Sequence, residues 1–84
     1  MAPLSPRGVV DLAEASHLAV TGQGRSLRQR SRLSQRALAG AIGIHPSTLN
    51  RWEGGTRVPS GMAAIRWVRL LRTLDAAEQA RVAP

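Results

Sequence analysis

Eighty-four residues leave room for one small domain. Twelve basic residues, all Arg, against five acidic ones give a net charge of +7 and point to a polyanionic partner. Without Cys, and with only two His, the chain excludes a disulfide framework, a thiolate metal site and a metal site of histidines alone, so neither metal nor cofactor is expected.

Ala, Leu and Arg dominate, Phe and Tyr are absent, and strand signals are poor, so every element is predicted helical. Ser5 reads as an N-cap with Pro6 in the first turn, opening a helix that Gly22 ends. Gln23-Gly24 reads as a short linker, followed by a second helix from Arg25 to Arg32. Ser34 caps a third helix, Gln35 to Ile42, with Leu33 and Leu38 at the spacing of a hydrophobic staple. Gly43 stops it, and Pro46 opens a fourth helix that runs to Glu53 and ends at Gly54-Gly55. Ser60 is expected to cap a fifth helix, Gly61 to Leu74, and Asp75 with Glu78 reads as the start of a short sixth, ending at Val82. The apolar runs are too short to span a membrane, and the N-terminus lacks the pattern of a secretion signal. The expected location is the cytoplasm.

The charge is unevenly placed. Residues 23–72 hold ten Arg and a single acid, Glu53, whereas residues 1–22 and 73–84 each hold one Arg and two acids. A central basic segment is the footprint of a nucleic-acid surface. Arg66, Arg69 and Arg72 mark a basic edge on the fifth helix. Its Trp67, Leu70 and Leu74 fall outside the stripe of Ile65, Val68 and Leu71, so either the N-terminal helix covers them or a second copy does, in a homodimer.

Residues 35–52 carry the informative pattern: two short helices joined by a glycine-containing turn, the spacing of a helix-turn-helix. Ala39 stands where the helices cross, and Gly43 where the turn needs a positive φ. Leu38, Ile42, Leu49 and Trp52 form the inner faces, leaving Ser47, Thr48, Asn50 and Arg51 outside as hydrogen-bonding groups suited to reading base edges. Arg51 suits guanine and Asn50 suits adenine or a phosphate. No catalytic constellation is recognised: adjacent Ser16 and His17 diverge on a helix, and Asp11 stands on the wrong turn to orient His17, so the chain is not expected to be an enzyme.

Leu27-Arg28, Leu33-Ser34-Gln35, Leu38-Ala39, Ile42-Gly43, Ser47-Thr48-Leu49, Trp52-Glu53, Gly55 and Pro59 together resemble the Cro/C1-type (XRE-like) helix-turn-helix family, which includes phage repressors, bacterial regulators and antitoxins. The resemblance covers residues 25–74. It implies an all-α domain of five to six helices, lambda-repressor-like, with residues 1–22 as a helical extension, 23–74 as the DNA-binding domain and 75–84 as a short helix or tail. It implies that Gln35 bonds a phosphate, that Pro46, Ser47, Asn50 and Arg51 meet base edges, and that Arg28 and Glu53 form a structural salt bridge. Pro46 departs from the polar residue common at its position and offers only apolar contact, leaving that position to His45 or Ser47. Thr48, Arg57 and some of Arg30, Arg32 and Arg36 are expected on phosphates. The implied function is sequence-specific binding of an operator in double-stranded DNA by a phage-type or actinobacterial regulator, most plainly a repressor. The alternative is an antitoxin that binds its operator and a toxin protein, for which Val9, Leu12, Trp67 and Leu70 would have to form an exposed apolar surface.

Overall fold

A computed structural model describes residues 5–82, so residues 1–4 of the expected extension and 83–84 of the expected tail lie outside the described residues. Five helices follow one another: α1 (Pro6–Thr21), α2 (Gln23–Arg30), α3 (Gln35–Ile42), α4 (Pro46–Glu53) and α5 (Gly61–Val82). The described residues contain no strand, and the fold is the all-α architecture expected. None of these helices is long and apolar enough to cross a membrane.

Local signals decide most boundaries. The Ser5 hydroxyl accepts from Gly8 N–H at 3.1 Å and caps α1, and Ser34 caps α3 by accepting from Ala37 N–H at 3.0 Å. Gly22, at φ +77°, ends α1 and immediately precedes α2, so the expected Gln23-Gly24 linker is helix instead. One left-handed residue turns the chain sharply enough that no linker is required. Thr21 Oγ1 supplies the acceptor that Gly22 lacks, taking Gln23 N–H at 3.3 Å. At its other end α2 stops at Arg30, two residues before the predicted Arg32, which takes a left-handed φ of +58° after the C-cap Ser31.

The expected sixth helix does not separate. Asp75 and Glu78 lie inside a 22-residue α5. No Gly or Pro interrupts this stretch, and Ala76, Ala77 and Ala80 are strong helix formers, so an acidic pair at capping-box spacing has no chain break to cap. Glu78 reaches across to α2, where Arg30 Nε donates to its two oxygens at 2.9 and 3.0 Å. At the start of α5 Ser60 contributes its carbonyl, which accepts from Ala64 N–H, and its hydroxyl has no partner among the described residues.

All five helices contribute to one core: Ala15, Leu18 and Ala19 from α1, Leu27 from α2, Leu38, Ala39 and Ile42 from α3, Leu49 and Trp52 from α4, and Ala64, Trp67, Val68 and Leu71 from α5. The most extensive packing is α1 along α5. Trp67 is thereby wholly buried, its ring centroid 5.3 Å from that of Trp52, while Leu70 and Leu74 are half-buried against the core. Of the two covers expected for these side chains, the intramolecular one holds for Trp67: α1 and α2 enclose the indole within a single chain, which removes it from any surface for a second copy. For the same reason Val9, Leu12, Trp67 and Leu70 do not assemble into one exposed apolar face.

Gly24 makes the close approach of α2 possible. A Cβ there would stand 2.6 Å from Trp67 Cζ2 and 3.0 Å from Cη2. Gly24→Ala is expected to cost about 1–3 kcal/mol through overpacking, in spite of alanine's higher helix propensity. Urea unfolding would measure it, and an unchanged or raised midpoint would contradict this packing.

Candidate nucleic-acid interface

The turn between α3 and α4 consists of Gly43, Ile44 and His45. Gly43 takes φ +78° as the C-cap of α3, and Ile44 N–H returns to Ala39 O at 3.0 Å. Pro46 then sets the first turn of α4, with His45 itself as the N-cap. Leu49, Trp52 and Glu53 point inward, whereas His45, Ser47, Asn50 and Arg51 are exposed and Pro46 and Thr48 half-buried. Two helices at this spacing can present a short polar helix to a major groove about 12 Å wide.

A buried polar chain fixes α4 against its neighbours. Arg28 on α2 holds Glu53 at both oxygens, Nε to Oε2 at 2.7 Å and Nη2 to Oε1 at 3.0 Å, and its Nη1 donates to Leu33 O at 2.8 Å. Arg25 approaches the same carboxylate at 3.6 Å. Gln35 Nε2 donates to Glu53 Oε1 at 2.9 Å and to Asn50 Oδ1 at 3.1 Å. Both hydrogens of its side-chain amide are thus taken by acceptors of the protein. The Gln35 donor that remains for an outside anion is its backbone N–H, in the first turn of α3. After α4, Thr56 and Arg57 N–H groups close on Arg51 O at 3.0 and 3.3 Å, which places the exposed Arg57 beside the end of the helix.

The ten arginines of the central segment divide sharply. Arg25 and Arg28 face Glu53, and Arg30 faces Glu78. Arg66 Nε donates to Ile42 O at 3.0 Å. Arg69 pairs with Asp11 at 3.2 Å, and Arg72 with Asp11 at 2.7 Å and with Glu14. Of the basic edge expected on α5, Arg69 and Arg72 are therefore paired with acids of α1, while Arg66 is bonded to the last turn of α3. Only Arg32, Arg36, Arg51 and Arg57 make neither an ion pair nor a side-chain hydrogen bond among the described residues of that segment. All four flank or belong to the α3–α4 unit. Arg30, by contrast, lines the cleft between α1, α2 and α5 together with Glu14, Arg72 and Asp75.

The inward pairs leave an electrostatic signature. Burial pushes the Asp11 carboxyl up, but Arg72 and Arg69 outweigh it and hold the group below the usual carboxylate range. Hydrogen bonding to Glu14 and then to Asp11, against burial working the other way, raises the pKa of Arg72 above its ordinary value. Acids and bases separated by 58 residues in sequence thus neutralise each other, and the uncompensated positive charge of the central segment collects around α3 and α4.

Two features of the site are absent from the expectations drawn from sequence. The Gln35–Asn50 bond links α3 to α4, and nothing short of tertiary structure pairs those amides. The capping role of His45 had a signal, since a proline at the first helical position makes the preceding residue the N-cap.

A family model described as a helix-turn-helix domain matches residues 25–82. No curated protein and no solved structure matches the chain.

Proposed function

The chain belongs to the helix-turn-helix domain family, and from that premise we propose that it is a sequence-specific double-stranded DNA-binding regulator of transcription, of the Cro/C1 type and acting as a repressor. The observation that carries the reading is the placement of charge: of ten central arginines, the four without a side-chain partner among the described residues border the exposed face of α3 and α4. In this reading α4 enters the major groove. Arg51 and Asn50 meet base edges, with His45, Pro46 and Ser47 at the leading end. Arg32, Arg36, Arg57 and Thr48 hold phosphates, together with the backbone N–H of Gln35. Arg30, held by Glu78, is left out. An antitoxin would need a surface for its toxin in addition, and the burial of Trp67 takes away the one expected from sequence.

Selection from a randomised duplex pool, with salt titrated on the enriched sites, tests this reading. A defined site is expected, with log affinity falling against log salt at a slope of about −3 for three phosphate-bound arginines. Two half-sites about 34 Å apart would show two copies bound together, and one half-site a single copy. Binding without enrichment of any site would overturn the reading. Arg51→Ala is expected to cost about 1–3 kcal/mol on the selected site and relax one base position. Arg57→Ala should weaken all sequences alike and reduce the salt slope by about 1. Sequence-selective loss from Arg57→Ala would reassign that residue to base contact.

A further inference from the structure

Asn50 is exposed on the outer face of α4, yet its side chain is not free to turn. Its Oδ1 accepts from Gln35 Nε2 at 3.1 Å, across from α3. The same Nε2 donates to Glu53 Oε1 at 2.9 Å. A side-chain amide has one accepting oxygen and one donating nitrogen, whereas a carboxylate only accepts. Arg28 binds both oxygens of Glu53 and holds it as a carboxylate. The arm of Gln35 that meets Glu53 must therefore be its nitrogen. That nitrogen cannot accept, so the arm of Asn50 that meets it must be the oxygen. The buried charge thus sets the polarity of Gln35, and Gln35 sets that of Asn50. Asn50 Nδ2, on the other arm of the amide, has no partner among the described residues.

We infer that Gln35 is a positioning residue for base readout: it turns Asn50 Oδ1 toward α3 and leaves Nδ2 as the free arm, so the base that Asn50 meets must offer an acceptor. The inference rests on the reading of α4 as the helix that enters the major groove. There, guanine offers N7 and O6, adenine N7 and thymine O4, whereas cytosine offers only its N4 amino donor. Two donors facing each other in a desolvated contact are both left unpaired, so cytosine is the base excluded. Without Gln35 the amide turns about χ2, a broad and roughly two-fold torsion, and can present Oδ1 to that amino group instead. The Gln35 side chain thus shapes specificity while touching no base itself.

The test compares the full chain with Gln35→Ala, Asn50→Ala and Asn50→Asp, by thermal unfolding and by selection from a randomised duplex pool. Gln35→Ala keeps the backbone N–H of α3 and leaves Glu53 both bonds from Arg28, so it is expected to fold. The wild-type chain should deplete cytosine about tenfold at one position. Gln35→Ala and Asn50→Ala should each admit cytosine at that same position, with the others unchanged. Asn50→Asp keeps an oxygen for Gln35 and exchanges the free donor for an acceptor, so it should enrich cytosine there. Three results would overturn the inference: no cytosine-depleted position that responds to Asn50→Ala, continued exclusion of cytosine by Asn50→Asp, or a loss over all sequences alike from Gln35→Ala. The last would put the Gln35 side chain on a phosphate. Should Gln35→Ala fail to fold, Gln35→Met, similar in length and without a donor, takes its place. Absence of any enriched site for the wild-type chain would overturn the DNA-binding reading itself, and that result is seen before any variant is compared.

Discussion

Glu53→Ala is expected to destabilise the protein by about 3–5 kcal/mol, the cost of leaving a buried charge without its partner. Arg28 is buried and would lose both bonds to the carboxylate while keeping only the one to Leu33 O. Gln35 would lose an acceptor in the same step, freeing its amide from the geometry that also holds Asn50. Domains of this kind have a total stability of about 5–15 kcal/mol, so much of the margin would be lost. Glu53→Gln keeps an acceptor of the same shape and should fall between. Urea unfolding measures both, and a Glu53→Ala midpoint equal to that of the wild-type chain would refute the structural role. Glu53 is the only acid of the basic segment, and it stands where α2, α3 and α4 meet. A change there should weaken DNA binding through loss of the folded state, with the base preferences of the remaining folded molecules retained except at the position that Asn50 meets.

Trp67→Ala is expected to cost a comparable amount, about 3–5 kcal/mol. The indole is fully buried, packed against Trp52 on one side and Gly24 on another. A helix as short as α2, already tied to Glu53 by Arg28 and to Glu78 by Arg30, cannot close the space left behind. Because the contacts lie within one chain, the loss in melting temperature should be the same at low and high protein concentration. A loss that appears only at high concentration would place Trp67 between two copies and contradict the packing described above.

The helix-turn-helix was legible almost to the residue because its boundaries are local. Ser34, Gly43, Pro46 and Gly54 act on their own turns, and α3 and α4 run over the spans read from them. The register of α2 and the length of α5 were not legible. Gly22 replaces an expected linker with a single left-handed residue, and Asp75 offers a capping pattern inside an uninterrupted helix. The charge of Arg30 is legible in the sequence, but its partner Glu78, 48 residues away, is not.

The sequence by itself determined that this chain is all helical, where its two central helices begin and end, and which side chains α4 turns outward. Each of these follows from propensities, caps and apolar spacing that act within a few residues. Only the tertiary structure decided which of the many arginines remain uncompensated, because that depends on Asp11 and Glu14 of α1 meeting Arg69 and Arg72 of α5 across the core. The same packing of α1 along α5 decided that Trp67 is core. Charge and apolarity are properties of single residues, but neutralisation and burial belong to pairs, and distant pairs form only when the chain folds.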